Sequence, residues 1–144
     1  MHADRPINVL LIEDDEVDIM NVKRAFKKNQ INNPIFVAAN GVEALEILRG
    51  KRASSYPIPS SRCLILLDLN MPKMGGLEFL QELRSDPTLR ILPVVVLTTS
   101  NQDQDRIQAY EYNVAGYLIK PVTFAAFTHL IMVLNQYWMS NEMP

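Results

Sequence analysis

The sequence predicts an α/β fold: a doubly wound, five-stranded parallel sheet with helices on both faces. Short apolar runs recur along the chain with helix-patterned segments between them, the alternation expected of βαβ units. Most of these runs are continuously apolar, not alternating, as in strands covered on both sides. With 144 residues, the chain is long enough for one domain that buries about two-thirds of the surface its unfolded form exposes. Its core is expected over about 7–135, with an exposed loop at about 49–62 and a C-terminal extension at about 136–144.

The five apolar runs are INVLLI (7–12), IFVAA (35–39), LILLD (64–68), LPVVVLT (92–98) and AGYLIK (115–120). Helix one is expected over about 16–29, with Ile19, Val22 and Phe26 inward. Helix two follows Asn40, an N-cap with Glu43 as its capping-box partner, and turns Val42, Leu45 and Leu48 inward. The segment RGKRASSYPIPSSR (49–62) is rich in Ser, Pro and basic residues and has no usable period, so it reads as an exposed loop. Helix three, about 76–84, buries Leu77, Leu80 and Leu83 and stops at SDP, because the residue before a proline disfavours helix. Helix four, about 101–112, is polar. Helix five starts after Pro121 with Thr123 as N-cap and runs through Phe124, Phe127, Ile131 and Leu134 toward Trp138.

Composition excludes several classes. A net charge of −2, with 48% hydrophobic and 8% aromatic residues, describes an ordinary globular chain without bulk attraction to nucleic acid. Cys63 is the lone cysteine, and no Cys/His cluster has zinc or haem spacing, which fits a reducing compartment, the cytoplasm by default. The N-terminus offers only about six apolar residues before its acids, and no apolar run reaches the roughly 20 residues of a membrane span. No membrane contact is expected.

A parallel α/β sheet presents its ligand site at the carboxyl ends of its strands. Here strand one ends in Glu13, Asp14 and Asp15, strand three in Asp68, strand four in Thr98 and Thr99, and strand five in Lys120 followed by Pro121. Asp15 and Glu16 have a plain explanation, since acids are favoured at the start of a helix. Asp68 does not. It ends four apolar residues, and LNMP intervenes before any helix, within a turn through Pro72, Gly75 and Gly76. If Glu13, Asp14 and Asp68 cluster with Lys120, three carboxylates face one ammonium. Each like-charged pair about 4 Å apart costs roughly 4 kcal/mol at an effective dielectric near 20. Such a cluster favours a divalent cation, and an all-oxygen donor set suits magnesium, or a similar hard ion such as manganese, over zinc or copper. A hard ion beside a carboxylate, a hydroxyl and a lysine points to phosphoryl transfer.

The motifs LLIEDDE, LLDLNMPKMGGLEFL, PVVVLTTS and GYLIKP, in this order, resemble those of response-regulator receiver domains of two-component signalling over about residues 7–135. The resemblance implies a flavodoxin-like sheet in the order 2-1-3-4-5 and a signalling switch that is not an enzyme in its own right. It makes Asp68 the phosphoacceptor for a histidine kinase. Asp14 would bind magnesium directly, Glu13 through water, and the backbone carbonyl of Asn70 would complete the protein ligands. Thr98 and Lys120 would contact the phosphoryl oxygens, and Tyr117 matches the aromatic switch residue. The Lys120–Pro121 peptide matches a position that is cis in the family. The long 49–62 loop, VVVLTTSNQDQD and FTHLIMVLNQYW are similar to stand-alone regulators that serve bacterial and cyanobacterial phytochromes. SSRC departs from the family's usual entry to strand three, and Asn70 and Ser100 stand near positions that tune phosphoryl lifetime.

Other residues have plainer readings. Lys23, Arg24, Lys27 and Lys28 form a basic stripe on helix one, read as a solvated face with kinase docking as the lesser alternative. His129 reads as structural or surface. Exposed aromatics among Tyr137, Trp138 and Met139 would favour a homodimer through helix four, strand five, helix five and the tail. Two other functions use similar parts. An aspartyl phosphatase of the haloacid dehalogenase kind expects an acid at position 70, where Asn70 stands, and a flavodoxin-like FMN binder expects a Gly/Ser/Thr loop after strand one, where acids stand. No downstream target is legible.

Overall fold

The computed structural model describes residues 7–50 and 62–141. Five parallel strands, β1 (Asn8–Ile12), β2 (Ile35–Ala38), β3 (Cys63–Leu67), β4 (Val94–Thr98) and β5 (Gly116–Ile119), form one sheet in the order β2-β1-β3-β4-β5. Five helices alternate with them: α1 (Glu16–Lys28), α2 (Gly41–Leu48), α3 (Gly76–Ser85), α4 (Asp103–Glu111) and α5 (Phe124–Met139).

Side-chain alternation along each central strand divides the core in two. Leu10, Ile12, Ile65, Leu67, Val94 and Val96 meet α2, α3 and α4 through Ala44, Leu45, Phe79, Leu80, Leu83 and Ala109. The intervening Val9, Leu11, Leu64, Leu66, Val95 and Leu97 meet α1 and α5 through Val22, Phe26, Phe127, Ile131, Leu134 and Trp138. Every residue of β3 and β4 is buried, whereas the edge strands β2 and β5 are mostly half-buried. Cys63 lies within the first cluster, and burial pushes its thiol up to about 12, so it packs as an inert small apolar group.

The caps follow the sequence. Asn40 accepts from the Glu43 N–H at 2.9 Å, and the Thr123 hydroxyl accepts from the Ala126 N–H at 3.2 Å. Asp15 caps α1 by accepting from the N–H groups of Val17 (2.8 Å) and Asp18 (3.0 Å), which is the plain role its position suggested.

Several expectations shift. Val42 is 44% exposed, because Ala44, Leu45, Ile47 and Leu48 form the buried face of α2. Leu77 and Ile19 are half-buried at the margins of their helices, while Phe79 and Ala25 lie in the core. Helix α4 begins at Asp103, two residues later than expected, with Ala109 as its one buried residue. Residues 51–61 of the expected 49–62 loop lie outside the described residues, as do 142–144 of the C-terminal extension. None of the described peptide bonds is cis, including Lys120–Pro121. Lys120 is aimed by the sheet instead: its N–H donates to the Thr98 carbonyl at 2.8 Å, continuing the β4–β5 ladder.

Two charged residues fasten the opposite end of the sheet. Arg84 donates to the carbonyls of Tyr112, Arg90, Leu92 and Asn113, joining α3 to the segments entering β4 and β5. Asp86 accepts from the Thr88 and Leu89 N–H groups and from Arg49. The Thr88 N–H first, then the Arg49 guanidinium, hold its carboxyl below the usual carboxylate range. A depressed folded pKa means the stabilisation is complete above the unfolded carboxylate pKa and is lost as pH falls through the folded value. Asp86→Asn should therefore flatten the acid limb of stability against pH, measured by thermal melting between neutral and strongly acidic buffers. An unchanged acid limb would contradict this assignment.

Candidate functional site

The site forms where β1 and β3 end side by side. Ile12 pairs with Leu67, and the Asp68 N–H donates to the Ile12 carbonyl at 3.0 Å, so the residues after these partners, Glu13 and Asp68, become neighbours. Among the described residues, the buried polar or charged ones are Glu13, Asp68 and Thr98, 2%, 6% and 0% exposed, and all three lie at this rim. Buried charge is tolerated only with a partner. Lys120, from the end of β5, supplies one: its Nζ lies 2.6 Å from Glu13 Oε2 and 3.9 Å from Asp68 Oδ1.

Buried Glu13, exposed Asp14 and buried Asp68 together offer carboxylate oxygens that all lie within 4.8 Å of one another. Burial pushes Glu13 up to about 7, against the pull of Lys120, and the nearby Asp68 charge pushes the same way as burial. Burial opposes the Lys120 charge as well, but hydrogen bonds to Glu13 and Asp18 hold its ammonium above the usual lysine value.

Asp18 was not among the expected site residues. Its Oδ2 lies 2.9 Å from Lys120 Nζ, so the ammonium is shared between two carboxylates on either side of it. The sequence places residue 18 in the first turn of α1, after the Asp15 cap, but not which residues of that turn face the strand ends.

Thr98 is buried at the end of β4, and its hydroxyl accepts from the Ser100 N–H at 3.3 Å. Ser100 donates to Asp105 at 2.6 Å, and the Tyr117 hydroxyl donates to the Ser100 carbonyl at 3.0 Å, with the ring half-buried. Thr98, the β4–α4 loop and Tyr117 are thus one hydrogen-bonded unit. Asn70 is exposed in the β3–α3 loop, and His129 is exposed on α5. That loop turns on left-handed Lys73 (φ 57°) and Met74 (φ 80°), not on the glycines. Non-glycine residues in this region are strained by roughly 1–2 kcal/mol each. Bonds from the Gly76 N–H to the Leu69 carbonyl and from the Gly41 N–H to the Met74 carbonyl hold the turn in place.

The donor set fits a hard divalent cation. It is all oxygen, carries excess negative charge and includes exposed Asp14, through which a hydrated ion can enter. The sequence pattern of the response regulator receiver domain matches residues 9–132. The chain belongs to this family. This decides among the three functional readings in favour of the receiver. Response regulator Rcp1 of Synechocystis is 35% identical over 94% of this chain and 91% of its own length. The probable methanogenesis regulatory protein FilR2 of Methanothrix harundinacea is 35% identical over 100% of this chain and 92% of its own. Among solved structures, the phosphorylated cyanobacterial phytochrome response regulator RcpA superposes with a TM-score of 0.84 at 31% identity, covering 96% of this chain and 99% of its own. The Mn(2+)-bound form of Rcp1 gives 0.84 at 33% identity, with 96% and 99% covered. The receiver is therefore related to phytochrome-associated regulators. Among the described residues, no helix is long and apolar enough to cross a membrane.

Proposed function

We propose that this receiver takes a phosphoryl group onto Asp68 from a phosphohistidine of a partner histidine kinase, one of the phytochrome class, and signals by contact with a downstream protein in the cytoplasm. The observation that carries this reading is a carboxylate 6% exposed at a strand tip, flanked by two further acids and 3.9 Å from a lysine ammonium. In the transfer, an Asp68 oxygen attacks phosphorus and the O–P bond forms as the N–P bond breaks. The electron pair leaves with the imidazole, which takes up a proton. Asp14 and Asp68 would hold magnesium or manganese directly, Glu13 through water, with the Asn70 carbonyl as a further ligand. When bound, that ion supplies positive charge to the phosphoryl oxygens. Thr98 and Lys120 would then contact the remaining phosphoryl oxygens. Thr98 can donate its O–H to a phosphoryl oxygen while its oxygen accepts from the Ser100 N–H, so a shift of Thr98 toward the phosphoryl group is passed to Ser100 and, through the Ser100 carbonyl, to Tyr117. A contact made only in the phosphorylated state is what shifts a two-state equilibrium.

The exposed Ile119, Val133, Tyr137 and Met139, 44%, 47%, 54% and 72% accessible, support a homodimer through α4, β5, α5 and the tail, while Trp138 at 1% belongs to the core. Incubation with acetyl phosphate and magnesium should give one phosphoryl adduct by intact mass, mapping to Asp68 and absent when a chelator removes the metal. An adduct on another residue, or one formed equally without metal, would overturn the assignment. Light scattering of the same samples should show a dimer mass, and a monomer mass in both states would reject the dimer.

A further inference from the structure

We infer that Asp18 is a positioning residue: it competes with an incoming phosphoryl group for the Lys120 ammonium and thereby sets how tightly the site holds a phosphoryl-like anion. This rests on Asp68 being the phosphoacceptor.

An ammonium has three donors. In the structure Lys120 directs two of them to Glu13 at 2.6 Å and Asp18 at 2.9 Å, while Asp68 at 3.9 Å lies beyond hydrogen-bond reach. Asp18 is not loosely placed. Its backbone N–H is fixed by the Asp15 side chain at 3.0 Å in the first turn of α1. With Lys120, Pro121 and Phe124 it lines a small cavity of about 50 Å³ between α1 and the start of α5. The carboxylate thus holds the ammonium toward α1, 3.9 Å from Asp68 Oδ1.

The two anchors of Lys120 differ in what their release costs. The Glu13 side chain is 3% exposed, so losing the ammonium would leave a buried acid without a partner. The Asp18 side chain is 36% exposed and recovers water when the ammonium leaves. The Asp18 contact is therefore the one a phosphoryl oxygen displaces, and its strength is subtracted from every anion bound at Asp68. Asp18 also carries charge of its own, and a repulsive field would weaken anion binding without involving Lys120. The two effects separate in a double-mutant cycle.

The test uses beryllofluoride with magnesium as the phosphoryl mimic, titrated into the full chain and followed by fluorine NMR. Asp18→Asn should bind it roughly two- to fivefold more tightly than the parent, the range a partly exposed ion pair is worth. In a Lys120→Met background, the same Asp18→Asn change should have no effect. If Lys120→Met does not fold, Lys120→Gln, which can still hydrogen-bond Glu13, serves as the uncharged background. Equal tightening with and without the lysine would overturn the inference in favour of a simple field effect. Unchanged affinity in the lysine-containing chain would overturn it outright while leaving the phosphoacceptor reading intact. Failure of the parent itself to bind the mimic would instead overturn that reading, and this one with it.

Discussion

Asp68→Asn is expected to reduce phosphoryl uptake to background while leaving the fold at least as stable as the parent. An amide has the shape of the carboxylate but is no nucleophile for phosphorus, so the chemical step disappears. Stability moves the other way for an electrostatic reason. Asp68 is buried beside Glu13 and Asp14, whose oxygens lie within 4.8 Å of its own, and its approach to Lys120 is only 3.9 Å. Like-charge repulsion at this separation outweighs one long ion pair, so removing the charge should change stability by no more than about 1 kcal/mol, and favourably. A second consequence concerns metal. A ligand that binds the folded state stabilises it by an amount that grows with the logarithm of its affinity, so magnesium should raise the melting temperature of the parent more than that of the variant. Radiolabel transfer from a phosphorylated histidine kinase and thermal melting with and without magnesium measure all three effects. Equal labelling of parent and variant would remove Asp68 from the mechanism. A loss of several kcal/mol would show that the carboxylate is structurally paired.

The parts of this site legible in the sequence are those that depend on backbone periodicity. Strands β1 and β3 are continuous apolar runs, so Glu13, Asp14 and Asp68 are the first polar residues after each, and a parallel sheet puts such residues on one rim. Thr98 and Lys120 follow from the same rule. Asp18 does not, because which residues of a helix's first turn reach the rim depends on how α1 is rotated against the sheet, and that rotation is set by Val22, Ala25 and Phe26 packing with α5. Val42 was misplaced for a related reason: leucine-like spacing over eight residues defines a face only loosely, and Ala44 and Ile47 shift it by part of a turn. The strain in the β3–α3 loop was hidden too. Glycine marks where a left-handed residue is easily placed, yet here Lys73 and Met74 take those angles, and Gly76 is needed for another purpose.

That purpose gives the second large effect. Gly76→Ala should destabilise the chain by roughly 2–3 kcal/mol, within the range for overpacking a close-packed interior, and should slow phosphorylation as well. A Cβ at residue 76 would lie 2.7 Å from the Asp68 carbonyl oxygen, 2.7 Å from Leu69 Cα and 2.7 Å from Leu69 Cδ2. Two of these three are main-chain atoms, so relief requires moving the backbone that carries the phosphoacceptor. At Gly41 the two nearest atoms, Met74 Cγ at 2.7 Å and Sδ at 2.9 Å, belong to a flexible side chain, and the one main-chain contact, the Met74 carbonyl oxygen, is farther at 3.0 Å. At Gly76, the normal gain of about 0.5–1 kcal/mol from replacing glycine by alanine in a helix is too small to offset the clash. A displacement of Asp68 by a fraction of an ångström also matters chemically, since misplacing a reacting group by about 1 Å can cost on the order of a hundredfold in rate. Denaturant unfolding and the rate of acetyl phosphate labelling measure the two effects, and they should appear together. A variant destabilised as expected but labelled at the parental rate would show that the loop yields away from Asp68, and a variant of parental stability would show that the helix can shift to admit the methyl group.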